Sequence, residues 1–347
     1  MPAPIQSVGA SQTQEQVIAT FPVPYKGVIR GLSEAEIPRD ALWTGENFHF
    51  FEGELRQRPS WNLARNATVA APPAGAGTIL SIYSGRRATT RDQFLFVGGT
   101  KGVFVLGDVG NILGAAGWQS WKLWAATRAR TNQVRFTELA TGTPLLTDVI
   151  AVNGADVPVR MRIETLTANF VAAVSLVLPN DIRPKDVCTS SDRILCITDT
   201  EVYWGQALNF TFPQLAVKSL AESLDLAIAI RPLGTLNVGI WKERSIWIGQ
   251  ARGGSDASYF SWRLLKWVDG PAAPNALTTD SKGNWFWMTK QGRVIMMNES
   301  YQISYPGDGV WPITRKQVSP LFSIYATCHA VYRPFHDEVW FFYQAVT

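Results

Sequence analysis

The chain has 347 residues, of which 46% are hydrophobic and only 17% charged, against roughly 25% charged in an average globular protein. Disorder is excluded as a class and a large core is within reach. Thirty-two Lys and Arg against 28 Asp and Glu leave a net charge of +4, too small over this length to mark a dedicated nucleic-acid-binding protein.

The first 25 residues are rich in Pro, small and amide side chains and carry no helical apolar stripe, so they read as an extended arm. Nothing in Met1 to Thr20 has the basic and continuous apolar regions of a signal peptide. Leu32 to Leu42 predicts one short helix, with Ser33 as N-cap and Glu36 completing a capping box. From Asn47 the pattern changes: Phe48 and Phe50 alternate across His49, and the Glu52-Gly53-Glu54 turn leads into Leu55 to Arg58, a hairpin. Ala67 to Gly77 has the Pro, Gly and Ala content of a linker.

Strand-sized apolar runs then recur to the end of the chain, punctuated by Gly, Asn and Asp. Ile79 to Tyr83, Val149 to Val152, Ile194 to Thr198, Ser245 to Ile248 and Val339 to Tyr343 are examples. No strong helical period intervenes, and the longest apolar stretch, Phe170 to Leu178, is far short of the roughly 20 residues that span a bilayer. Strand–turn–strand pairs open at about Ile79, Val134, Asp186, Leu236 and Leu277, about 40 to 55 residues apart, which is near the period of propeller blades. The expected fold is therefore an all-β propeller over residues 45–347, preceded by the arm with its helix at 1–44. The expected blade count is six, with five or seven as alternatives. The aromatic terminal strand at Glu338 to Tyr343 has no partner after it, so the N-terminal strand is expected to complete the last blade and close the ring.

Candidate chemistry is sparse. His49, His329 and His336 sit in no metal-binding pattern, and no nucleophile elbow, P-loop or dinucleotide fingerprint occurs. Cys188, Cys196 and Cys328 lack CxxC spacing and read as small buried hydrophobes rather than a disulfide framework. His336-Asp337 reads as a solvated turn. Asp280-Ser281-Lys282-Gly283-Asn284-Trp285 is faintly similar to the Asp-box of sialidases, but one imperfect copy reads better as a hairpin turn, with Asp and Asn bonding the backbone and Gly283 supplying a positive φ. No catalytic, cofactor or metal residue is assigned, and the chain reads as a non-enzyme without a small-molecule substrate. Arg86, Arg87, Arg128 and Arg130 head the basic clusters. They serve solubility in a monomer, or face DNA if copies form a ring. Trp118, Trp121, Trp124, Trp262 and Trp311 are candidates either for interface anchors or for fillers between blades.

An ordered series of short motifs carries a resemblance. Asn47 to Arg58 (NFHFFEGELRQR), the turn Val152 to Pro158, Val202-Tyr203-Trp204 before Asn209, Ser245-Ile246-Trp247, the loop Trp267 to Pro274 and Gln291-Gly292-Arg293-Val294 follow one another in the order found in bacteriophage tail-nozzle and packaged-DNA-stabilisation proteins. Gly205 and Phe210 depart from that pattern. The resemblance spans roughly Phe48 to Pro312. It implies a β-propeller virion component in the phage tail or neck, present as a ring, commonly of six copies, below the portal and adaptor. Such a ring continues the DNA channel and helps to close it, touching the passing genome without sequence specificity. The competing expectation is a receptor- or carbohydrate-binding propeller at the tail tip.

Overall fold

The computed structural model describes residues 48–51, 54–57, 77–86, 93–106, 119–123, 133–142, 146–163, 174–175, 178–309, 311–317, 328–334 and 337–343. The expected helix at Leu32–Leu42 and the linker to residue 76 lie outside them. So does the arm.

The Asn47–Arg58 segment forms a hairpin of β1 (Phe48–Phe51) and β2 (Glu54–Gln57), paired from Phe48↔Gln57 to Phe51↔Glu54. Five four-stranded antiparallel sheets follow, each a meander of consecutive strands. The first contains β3 (Ile79–Arg86), β4 (Gln93–Gly99), β5 (Gly102–Leu106) and β6 (Gln119–Leu123). The second contains β7 (Arg135–Thr141), β8 (Leu146–Val152), β9 (Val159–Arg162) and β10 (Val174–Ser175). The third is β11 (Asp186–Ser190), β12 (Arg193–Ile197), β13 (Glu201–Trp204) and β14 (Val217–Ser219). The fourth is β15 (Ala227–Leu233), β16 (Asn237–Lys242), β17 (Ser245–Ala251) and β18 (Phe260–Trp267). The fifth is β19 (Leu277–Thr279), β20 (Trp285–Met288), β21 (Val294–Met297) and β22 (Ile303–Ser304). A short helix, α1 (Trp311–Gln317), and a hairpin of β23 (His329–Arg333) and β24 (Glu338–Phe342) complete the series. The protein is an all-β propeller, with five four-stranded blades among the described residues.

Side chains alternate across a strand, so a sheet buried on both faces presents apolar groups at successive positions. In β12, Ile194 and Cys196 enter the core shared with the second blade, whereas Leu195 and Ile197 enter the core shared with the fourth. In β17, Trp247 faces the third blade, and Ile246 and Ile248 face the fifth. This two-sided burial explains why the runs in the sequence are continuous rather than alternating. The widest gaps are filled by Trp204, Trp241, Trp247 and Trp287, all fully buried. Each of three indole N–H groups finds an acceptor outside its own strand: Trp204 donates to the Asp256 carbonyl at 2.6 Å, Trp247 to Ser223 Oγ at 3.1 Å and Trp287 to the Asp269 carbonyl at 2.8 Å.

Turn chemistry follows the residues. The two-residue link between β11 and β12, Ser191-Asp192, has φ of 49° and 57° at both positions, the mirror-image geometry that matches strand twist. Asn153 Oδ1 accepts the Ala155 and Asp156 N–H groups around Gly154. Asp280 Oδ1 accepts the Lys282 and Asn284 N–H groups and Gly283 takes φ 79°, so the sialidase-like hexapeptide is a hairpin turn.

Two expectations are corrected. The fourth blade opens at Ala227 rather than at Leu236, because the run from Leu236 leads into its second strand, β16. The first strand, AIAIRPL, carries small Ala side chains and Pro232, which conceal its strand character. Helix α1 was not expected from the sequence. It is a short helix fastened from outside: Arg293 binds Asp308 through two bonds of 2.9 Å, its guanidinium lies 3.8 Å from the Tyr305 ring centroid and 5.0 Å from that of Trp311, and Thr314 Oγ1 donates to the Gly292 carbonyl.

The motif loop Trp267–Pro274 depends on a close approach. Gly270 donates its N–H to the Glu243 carbonyl at 2.9 Å, and a Cβ on it would stand 1.8 Å from the Lys242 carbonyl oxygen. Gly270→Ala is expected to lower unfolding free energy by about 3 kcal/mol, whereas Gly309→Ala, whose methyl would meet nothing within 4 Å, stays within about 0.5 kcal/mol. Urea denaturation of the two variants checks the difference.

Candidate functional site

The first strands of the blades converge on a common axis, and where they enter it the sequence places polar residues: Ser81, Gln133, Arg135, Asp186, Arg231 and Asn275. Unpaired polar groups are costly to bury, so each must find a partner there. Asp186, at the start of β11 and fully buried, is the centre of this arrangement. Its Oδ1 accepts Arg135 Nε from β7 at 3.0 Å and the Val187 N–H at 2.9 Å. Its Oδ2 accepts Arg231 Nη1 from β15 at 2.5 Å and the Ile230 N–H at 2.8 Å. One carboxylate thus joins the second, third and fourth blades.

The network continues around the ring. Arg231 Nη2 donates to the Pro274 carbonyl at 2.7 Å, at the entry to the fifth blade. The next residue, Asn275, donates its N–H to Gln133 Oε1 at 2.9 Å and its amide to Ser81 Oγ at 3.4 Å, reaching the second and first blades. Gln133 Nε2 donates to the Cys328 carbonyl at 3.4 Å, just before β23. These bonds span the axis and draw all five blades and the terminal hairpin to one point.

Charge at the hub is shaped by burial. Arg135 is lowered to about 10, first by burial and then by the neighbouring Arg231 cation, with Asp186 opposing both. The His329 imidazole lies below its usual value because burial, and then Arg135, disfavour its cation. Burial pushes the Cys328 thiol up to about 12 and raises Cys188 and Cys196 as well. Since the thiolate is the reactive form, these three free, buried cysteines act as small apolar fillers at neutral pH. Tyr83, raised by burial and by Glu138, stacks at 5.5 Å on Phe136 beside the hub's first strands.

The hub's chemistry is that of a lock. Among the described residues, no group of three or more His, Cys, Asp or Glu side chains is placed to hold a metal ion. Of the residues singled out in the sequence, Arg86 ends β3 and Trp121 lies in β6, whereas Arg87, Arg128, Arg130, Trp118 and Trp124 lie outside the described residues. His336 does too. Trp262 in β18 packs over Gly249 beside Trp204 and Phe260, and Trp311 opens α1 and donates to the Gln291 carbonyl at 3.2 Å. The sequence reading missed the hub itself. Only Arg135 and Asp186 open a first strand; Ser81 and Arg231 lie within theirs and Gln133 and Asn275 precede theirs, so no fixed phase marks the hub in the sequence.

No protein-family model matches the chain, and no curated protein matches it. Solved structures of similar shape share few residues. The extracellular domain of a B. thetaiotaomicron one-component system is 12% identical over 77% of this chain, with a TM-score of 0.47. This chain spans 32%, about a third, of that protein's length. YCF48 from Cyanidioschyzon merolae is 12% identical, covering 67% of this chain and 73% of its own, with a TM-score of 0.41. BBS1N, solved in complex with ARL6DN, is 12% identical over 66% of this chain and 70% of its own, with a TM-score of 0.43.

Two outcomes follow from the hub. Asp186→Asn leaves two partly buried guanidinium groups without their counter-charge and is expected to cost about 3 kcal/mol in a urea melt. For His329, a folded-state pKa below the unfolded one means that the unfolded chain binds the proton first. Stability is then full above about 6.5 and is lost as pH falls from there through the folded-state value. His329→Gln should flatten that part of the melting-temperature profile relative to the parent chain.

Proposed function

We propose that this chain is a structural subunit of a tailed-phage virion, copies of which form a ring that continues and helps to close the DNA channel. The observation that carries this reading is the place of the resembling motifs in the fold. Trp204 and Trp247 fill the gap between the third and fourth blades, the Trp267–Pro274 loop supplies the Asp269 acceptor for Trp287 and the close-packed Gly270, and Gly292 turns the chain into β21 with φ 73°. The motifs are locks between successive blades, which is the role required of a rigid structural disc.

The hub supports the same reading, since its bonds span the axis of the disc. A genome would run through a lumen enclosed by several copies, bounded by their loops, and not through the centre of one propeller. Arg86, Arg87, Arg128 and Arg130 are the proposed lumen-facing cations. Six copies, contacts with portal, adaptor and other tail proteins, and no catalysis or cofactor belong to this reading.

We further infer a sixth blade. The β23–β24 hairpin is held to the fifth blade by Lys282 Nζ on Asp337 at 2.6 Å and by the Ser281 and Tyr332 hydroxyls at 3.0 Å. The outer edge of β24 has no strand partner among the described residues, and Val331, Phe342 and, on β3, Ile82 remain exposed. The β1–β2 hairpin, with Phe48, Phe50 and Phe51, supplies strands of the character needed to cover that edge and close the ring.

Cryo-EM of phage particles containing this chain, reconstructed without imposed symmetry, tests both points. The expected result is a ring of copies on the tail axis below the portal, each with residues 48–57 paired to 338–342. Isolated copies at fibre tips, or absence from the particle, overturns the reading.

A further inference from the structure

The outermost strand of the fourth blade differs from the others. β18 has eight residues, whereas the outermost strands β6, β10, β14 and β22 have five, two, three and two. Among the described residues it pairs only with β17. An edge of this length presents a row of alternating N–H and C=O groups that proteins ordinarily blunt or cover.

Free positive charge follows the same edge. Arg244, Arg252, Arg263 and Lys266 are all exposed. Three of the nearby carboxylates are committed to other cations, Glu243 to Lys290, Asp256 to Arg193 and Asp225 to Lys242, and the exposed Asp269 lies just beyond the end of β18. Arg252 pairs through its backbone with Tyr259 just before the strand, and Arg244 with Val268 just after it. Arg263 and Lys266 lie between, so the four cations mark a strip roughly 25 Å long at the rise of an extended chain.

An apolar end adjoins the strip. Trp267 is 65% exposed and sits opposite Ser245. Leu224 is 97% exposed. Lys242, fully buried, donates to the Leu220 carbonyl at 2.8 Å and to the Ser223 carbonyl and hydroxyl at 2.7 Å. Asp225 in turn accepts the Arg244 N–H at 2.9 Å and the Ser245 hydroxyl at 2.8 Å. Burial works against both charges of this pair, lowering Lys242, while their mutual attraction and the hydrogen bonds to Asp225 oppose it. The turn carries Leu224 next to Asp225, which is bonded to Ser245 opposite Trp267, so two exposed apolar side chains lie at this end of the strip.

We propose that the β18 edge binds an extended acidic segment of another polypeptide, which adds a strand to the fourth blade. Its backbone pairs with the open edge, its carboxylates meet Arg263 and Lys266 with Arg244 and Arg252 at the ends, and an apolar side chain rests on Trp267 and Leu224. The backbone row favours a polypeptide over a nucleic acid, because phosphate oxygens only accept hydrogen bonds and leave the edge carbonyls unmet. The surface is independent of the DNA-channel reading and is testable on the purified chain.

The probe is a fluorescein-labelled ten-residue peptide alternating Glu and Val, followed by anisotropy and by hydrogen exchange of the β18 amides. Binding is expected to weaken as salt rises, to slow exchange along β18, and to fall roughly tenfold or more in the double variant Arg263→Glu, Lys266→Glu. Lys101→Glu, an exposed site on the first blade, should leave it unchanged. Absence of binding, equal binding by the double variant, unchanged β18 exchange, or equal binding of a Lys-Val peptide overturns the proposal. Tighter binding of oligo-dT than of the peptide also overturns it and makes the strip a nucleic-acid surface.

Discussion

A buried carboxylate at the axis sets the terms for the rest of this molecule. Asp186 has no access to solvent, so its charge is tolerable only if the Arg135 and Arg231 guanidiniums and two backbone N–H groups stay in place. Those donors come from three consecutive blades. Any rotation of one blade against the next would strand a charge in the interior, and the pair Gln133–Asn275 extends the same demand across the axis to the remaining sheets. Apolar cores between blades supply most of the driving force for folding, but such contacts are non-directional. The hub adds the direction: it fixes which strand ends meet and how closely.

Around that centre the blades are wedge-shaped in their side chains. Small or short groups such as Ala227, Ala229 and Ala276 occupy the inner strands and entry loops, whereas Trp204, Trp241, Trp247 and Trp287 occupy strands further out, where the gaps widen. Indole suits these places because it fills a large volume, and in Trp204, Trp247 and Trp287 its single N–H also finds a carbonyl or hydroxyl outside its own strand. Gly249 and Gly270 mark the places where a ring or a backbone comes so close that no Cβ fits. The result is a stiff disc whose specialised features lie at its loops and outer strands.

Charge is distributed with the same economy. Most described carboxylates are taken up by turns, by the hub or by local pairs such as Arg162–Asp148, Arg193–Asp256 and Arg293–Asp308. Unmatched cations therefore gather at few places, and the fourth blade's outer edge is one of them. A small overall charge of +4 conceals this, because a net value averages a committed interior network with an uncommitted surface strip.

Much of the architecture was legible in the linear pattern. Short runs of Val, Ile, Leu and aromatic residues between Gly, Asn and Asp announced strands, the spacing of their openings announced blades, and Asn153-Gly154, Asp280 to Asn284 and the Phe48–Gln57 hairpin announced their turns, because strand and turn preferences act over a few residues. What spans many residues was not legible. Alternation cannot say which gap Leu195 or Ile194 enters when both faces are covered. AIAIRPL does not read as a strand until its neighbours require small side chains, and α1 exists because Asp308, Tyr305 and Gly292 hold it. The hub residues are separated by tens of positions and look like ordinary turn-flanking polar groups in the sequence. Only the convergence of the first strands removes them from water, and only that burial turns Asp186, Arg135, Arg231, Gln133 and Asn275 into one network.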